Sequence, residues 1–269
     1  MIATIYKHEF RTRLRSVLIW SLSVTALVLF FFSIFPTYAE QAELMKQVLA
    51  KFPPQLLEAF GMNRMDLSSV EGFYGFLFTF VQLCLAIQAG NYGFGLVSIE
   101  ENERTADFLL TKPVSRLQVF TSKLLAALSS LVVTDLVIWA ASFLGILAWS
   151  GGREYDTSLL IQLMLSIVLF QLFFLSVGLL ISLLVKRVRS VTPYSLGLGF
   201  GAYVLAAFSG IFGDVKLEYI TPFKQLDPSY FVQHGAYDTP LLLINIAISV
   251  IALAVSTWLY LRRDIPAVS

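Results

Sequence analysis

The sequence predicts an all-α membrane protein: six transmembrane helices, an N-terminal amphipathic interfacial helix, and a short cytoplasmic helix between the second and third spans. Three observations predict it. The chain of 269 residues is 57% hydrophobic and only 14% charged, with a mean hydropathy of +0.75. A soluble domain carries about 25% charged residues. The apolar residues gather into six runs long enough to cross about 30 Å of hydrocarbon, which takes about 20 residues. The lysines and arginines favour one set of intervening loops over the other.

The spans read as 17–35, 73–99, 121–149, 158–185, 193–212 and 241–261, all in one membrane domain over residues 1–269. The second, third and fourth exceed the minimum, which predicts tilt or extension into the headgroup zone. The first span is preceded by MIATIYKHEFRTRLRS. Ile2, Tyr6, Phe10 and Leu14 recur every four residues, and Lys7, Arg11 and Arg15 form a second stripe. A basic amphipathic helix of this kind lies in the headgroup plane; a plain positive anchor for the first span is the alternative. The first span is also longer than the apolar core of a signal peptide, so an uncut helix is expected despite Thr37-Tyr38-Ala39.

With both termini inside, thirteen of the nineteen lysines and arginines fall on the inner side, although the outer loops are longer. Both termini are therefore expected in the cytoplasm. Trp20 and Trp258 then lie near the inner boundary and Trp149 near the outer one.

In the first outer loop, Leu44, Val48 and Phe52 share one face of a helix that Pro53-Pro54 stops. Ser68-x-x-Glu71 matches a capping box opening the second span. The last outer loop, around ITPFKQLDPSYF, is too polar to span and too aromatic for a free linker. It reads as a re-entrant or surface-docked element near an exit gate, or as a packed loop. In the fifth span Gly197-x-x-x-Gly201 permits close helix approach, within one subunit or between two.

Several chemistries find no support. The net charge of +1 comes with no basic face, which argues against nucleic acid as a partner. One cysteine, Cys84, allows no internal disulfide, and His8 and His234 are far apart, with no CxxC or HExxH to hold a metal.

The second and third spans are joined by SIEENERTADFLLTKPVSR, residues 98–116. Glu101, Arg104, Asp107 and Phe108 fit one side of a short helix, and Phe108-Leu109-Leu110 form an apolar ridge. Pro113 ends that pattern, and Arg116 opens the next helix. A compact charged knob beneath the membrane suits docking to a cytoplasmic partner; a solvated turn is the other reading.

Glu-Glu-x-Glu-Arg, a short apolar run, Pro-Val-Ser-Arg and a later lysine resemble the cytoplasmic loop of the type-2 ABC permease family, the membrane subunits of many bacterial ABC exporters. The matching positions are Glu101, Glu103, Arg104, Leu109, Leu110, Pro113, Ser115, Arg116 and Lys123. The family commonly has Gly-Thr after the arginine, where this chain has only Thr105. The layout of spans and loops resembles the family as well.

The resemblance implies a permease that is not itself an enzyme, placed in the bacterial plasma membrane as a multi-pass protein. The loop would be a coupling helix seated in a groove of a separate P-loop ATPase, with Glu101, Glu103, Arg104, Phe108, Leu109, Pro113 and Arg116 as the coupling residues. A second permease chain, identical or different, would complete the pathway, with Gly197 and Gly201 at the interface. ATP and Mg would belong to the ATPase, and no cofactor to this chain. This chain has no GxxxxGK[ST], and the glycines of GLGFGA lie within a span. The cargo would leave the cytoplasm, and short loops favour a small amphipathic compound, a peptide or an ion.

Asp135, in SSLVVTDLVIWA, is the one ionisable residue near the middle of a span. A charge there costs at least about 2.5–3.5 kcal/mol on insertion scales, so it should face protein or water. It is either a gate or pathway group, or a hydrogen-bonded staple to Gln82, Gln88, Asn91, Gln162 or Gln171. The competing function is a secondary transporter, coupled to H⁺ or Na⁺ through Asp135. The two halves of the chain show no similarity that would support an inverted repeat.

Overall fold

The structure is a computed structural model. It describes residues 2–54, 57, 61–103, 115–185, 188–209 and 217–262. Among these there is no strand, and six helices are long and apolar enough to cross a membrane. The spanning helices are α1 (Ile2–Glu40), α3 (Val70–Glu103), α4 (Arg116–Trp149), α5 (Thr157–Leu184), α6 (Val191–Ser209) and α9 (Thr239–Arg262). Between them lie α2 (Ala42–Leu49), a 3₁₀ turn (Leu217–Tyr219), α7 (Pro222–Gln225) and α8 (Pro228–His234).

The helix α1 differs from expectation. No break separates residues 2–16 from the first span; one helix of 39 residues runs through both. At 1.5 Å per residue that is about 58 Å, well beyond the hydrocarbon core. Nothing between Phe10 and Val17 interrupts a helix, and Pro36 removes one backbone bond near the far end without ending it. The aromatic stripe of the first turns contacts protein: Tyr6 stacks on Phe10 and donates to Ser129 Oγ at 3.0 Å, on α4.

The starts of the other spans follow local chemistry. Ser115 caps α4 with a full capping box, its hydroxyl accepting from the Gln118 amide while the Gln118 side chain accepts from the Ser115 amide. Asp156 caps α5 by accepting from the Ser158 and Leu159 amides. The expected box at Ser68 does not form, and a simple serine cap stands one residue on. Ser69 Oγ accepts from the Gly72 amide at 3.0 Å, whereas Ser68 turns to Asp66. Glu71 leaves the cap and accepts from the Asp156 amide at 2.7 Å, tying α3 to the start of α5.

The helix α3 is the centre of the bundle, and α6 and α9 are its most open members. The largest seams are α1 on α4 and α3 on α5, followed by α9 on α5 and α3 on α6. Small residues permit two of them. A Cβ on Gly93 would lie 2.3 Å from the Leu175 carbonyl oxygen, so α3 and α5 meet backbone to backbone. Gly90 faces Ser195 and Gly199 faces Ile87 where α3 crosses α6. Phe32, Tyr74, Phe78 and Phe170 fill the interior between these seams.

Candidate functional site

The cytoplasmic element comes first. The described part of α3 runs through Glu103, four residues beyond the predicted end of the span, so Glu101 and Glu103 are helical. Arg116 is the first residue of α4. These three positions therefore belong to the spanning helices. Arg104, Phe108, Leu109 and Pro113 lie outside the described residues.

Two contacts hold the paired helix ends that flank this stretch. Lys123 is buried and its Nζ donates to the Leu96 carbonyl at 3.0 Å, which fastens the first turns of α4 to the end of α3. Tyr92 donates to Ser16 Oγ at 3.3 Å, which brings α1 to the same place. Burying an ammonium is costly unless it is hydrogen-bonded. The resemblance had pointed to Lys123 as a motif position, but nothing in its spacing reveals a carbonyl 27 residues earlier.

The middle of the membrane holds a polar seam. Asp135 is 2% exposed, and its Oδ1 accepts from Gln171 Nε2 at 2.9 Å, between α4 and α5. One residue earlier, Thr134 Oγ1 accepts from Gln88 Nε2 at 2.9 Å, which links α4 to α3. Of the amides weighed as partners for Asp135, Gln171 is the one bonded to it. Asn91 accepts from Ser195 Oγ at 2.8 Å, Gln82 donates to the Leu226 carbonyl at 3.0 Å, and Gln162 donates to Ser158. The seam joins helices, as the staple reading requires.

The far end of the bundle is closed by the last loop. The short helix α7 is inserted, not laid on the surface. Phe223 packs among Phe170, Phe174 and Tyr203, and Phe170 lies halfway along α5. The polar groups of this insertion are bonded to the helices around it: Gln82 donates to the Leu226 carbonyl, Asn245 Nδ2 donates to the Gln225 side-chain oxygen, and the Thr221 hydroxyl donates to the Ala202 carbonyl of α6. Irregular backbone at membrane depth is tolerated only where protein or water surrounds it. The surface-docked form of this loop is not what the described residues show; they are packed into the bundle.

Gly197 and Gly201 sit on the open side of α6. A Cβ built on either meets nothing within 4 Å, so neither makes a close helix contact within the chain. Tyr194, Phe200, Val204 and Phe208 around them are exposed. The close approaches inside the subunit use Gly93 and Gly178 instead, the latter facing the Gly90 carbonyl oxygen at 3.3 Å.

Residues 3–265 match the profile of the family described as ABC-2 family transporter protein. The chain belongs to the ABC-2 transporter family. It is a multi-pass membrane protein and the permease component of an ABC transporter, a transport subunit and not a catalytic enzyme in its own right. Membership implies an ABC ATPase as its partner. No curated protein matches the chain.

Proposed function

We propose that this ABC-2 permease is the membrane half of an ATP-driven exporter in the bacterial plasma membrane, with both termini in the cytoplasm. Residues 100–116 are its coupling element, and Glu101, Glu103, Arg104, Phe108, Leu109, Pro113 and Arg116 meet a groove in a separate P-loop ATPase, which carries the ATP and Mg. The carrying observation is the family match over residues 3–265, which implies an ABC ATPase as partner. The tether from Lys123 to Leu96 means that force on this element reaches α3 and α4 together.

The open glycine face of α6 supports a second permease chain, identical or different, packed on Gly197 and Gly201. A stripe of small residues lets helix backbones approach closely. The cargo, a small amphipathic compound, a peptide or an ion, would cross between the two chains.

The test is a pull-down of the tagged chain from its native host in mild detergent, with mass spectrometry of what accompanies it. The expected companion is a stoichiometric P-loop ATPase that is lost on the double charge reversal Glu103→Lys, Arg104→Glu. Failure to recover an ATPase across several detergents and lipids would overturn the coupling assignment.

A further inference from the structure

The inserted helix α7 leaves hydrogen-bonding capacity unused on the side chains that hold it. Gln225 Nε2 donates to the Tyr219 carbonyl at 2.9 Å, which turns the Gln225 side-chain oxygen toward Asn245. Asn245 therefore presents its Nδ2, at 2.9 Å. On α3, the Leu226 carbonyl draws Gln82 Nε2 in the same way, at 3.0 Å. Acceptors on the insertion thus fix both amides nitrogen-first. The amide oxygens behind them, Gln82 Oε1 and Asn245 Oδ1, are buried and meet no donor. Both residues are 0% exposed. A buried acceptor without a donor forfeits its solvation, so such an oxygen calls for a partner.

A cavity of about 30 Å³ adjoins the same insertion, with Thr79, Tyr203, Phe223, Lys224, Asp227 and Ser229 in its lining. One water takes about 10–15 Å³ of such space, so about two fit. Thr79 lies on α3 just before Gln82. A cation does not suit this surrounding. Asp227 Oδ1 accepts from the amide and the hydroxyl of Ser229, and its Oδ2 lies 3.5 Å from Lys224 Nζ. That carboxylate is engaged and the pair is neutral, so a further positive charge would be buried without compensation. A small neutral molecule that donates hydrogen bonds satisfies both oxygens, and the cavity has the size for water.

We infer that α7 is seated on bound water, with one molecule at Gln82 Oε1, one at Asn245 Oδ1 and others in the cavity, and that this wet seat makes it the releasable part of the closed end. Side chains tie the insertion to three spanning helices by one bond each: Gln82 on α3, the Ala202 carbonyl on α6 and Asn245 on α9. Water already at the seam takes over each bond as it parts, at little enthalpic cost. The seam of α3 on α5 is different. There backbone meets backbone at Gly93, which leaves water no room.

The full chain in lipid nanodiscs is irradiated with X-rays, which convert water to hydroxyl radicals, and side-chain oxidation is read by mass spectrometry. Bound water marks buried side chains beside it. Phe223 and Leu226 are buried, as are Phe32 and Leu77 in the apolar core. Phe223 is expected to oxidise about tenfold faster than Phe32, and Leu226 about tenfold faster than Leu77. After brief mixing into heavy-oxygen water, the two are expected to carry ordinary oxygen, while the exposed His234 carries the heavy isotope. Oxidation as slow as that of Phe32 and Leu77 overturns the proposal, because the seat is then dry. Immediate heavy-oxygen uptake overturns it too, because the seam is then open to bulk solvent. Gln82→Met and Asn245→Leu are each expected to lower the oxidation; undiminished oxidation in both variants overturns the assignment of the two oxygens. Release is read by hydrogen exchange of the wild type. The amides of residues 223–227 are expected to exchange before those of 170–174, and equal protection overturns the releasable plug. None of these outcomes bears on whether an ATPase accompanies the chain.

Discussion

Replacing Gly93 with alanine should weaken the whole bundle, because the new methyl has nowhere to go. Its Cβ would stand 2.3 Å from the Leu175 oxygen and 3.0 Å from both the Leu175 carbonyl carbon and the Leu179 nitrogen. All three are backbone atoms of α5, so no rotamer change relieves the contact. Ordinary separation requires α3 and α5 to part by roughly 1 Å, a gap that forfeits a quarter to a half of each dispersion contact it opens. Gly178 and Phe94 lie along the same seam and would lose contact with it. Overpacking of this kind costs about 1–3 kcal/mol. A value near 2 kcal/mol is about a thirtyfold change in the folding equilibrium and about 4–8 °C in Tm for a chain of this size. The assay is thermal unfolding of the purified chain in one detergent, with Gly201→Ala beside it. Gly201 has open space around its Cβ position, and alanine is favoured over glycine in helices by up to about 1 kcal/mol. Gly201→Ala should therefore melt at or slightly above wild type. If Gly93→Ala melts with wild type, or both variants fall equally, the backbone contact between α3 and α5 is not what the reasoning requires.

Gly201→Leu should leave monomer unfolding unchanged and shift the chain from dimer to monomer in size-exclusion with light scattering; a retained dimer would move the interface off this face of α6. Asp135→Asn keeps an acceptor for Gln171 and should support near wild-type transport, whereas Asp135→Leu orphans that amide and should cost about 1–3 kcal/mol in thermal stability. Loss of flux in Asp135→Asn would favour the H⁺- or Na⁺-coupled carrier instead. Lys123→Met keeps the apolar stem and removes the donor to the Leu96 carbonyl, and should lower the cargo moved per ATP in proteoliposomes with the ATPase; unchanged coupling would show that this tether does not transmit the motion. The Asp66 loop carries a pH signature. Its carboxyl is held below the value it has unfolded, so its contribution is present above about pH 4 and is lost as pH falls through the lowered native value. Protease cleavage between α2 and α3 should rise over that acid window in wild type and be already raised, and flat with pH, in Asp66→Asn.

The two GxxxG-like glycines illustrate where sequence reading stops. Gly197 and Gly201 have the spacing of a packing motif and face open space, while Gly93 and Gly178 carry no such motif together and lie against backbone across the seam of α3 and α5. Spacing identifies a smooth helix face but not what lies opposite it. The same holds for Asp135. A lone acid in an apolar run announces a partner, yet five amides were eligible, and only the pairing of α4 with α5 selects Gln171. Ser68 and Glu71 fit a capping box by type, but the turn at Asp66 claims Ser68, and the approach of α5 claims Glu71.

By itself the sequence determined the six spans, the charged stretch between the second and third, and the membership those features resemble. A helix crosses a bilayer because of its own composition, and that information is local. Tertiary structure alone decided the insertion of α7 to the depth of Phe170 and the Lys123–Leu96 tether. Each depends on which helix faces which. In an apolar medium that choice is made by close packing and by the need of buried polar groups for partners, and both are written across positions tens to more than a hundred residues apart.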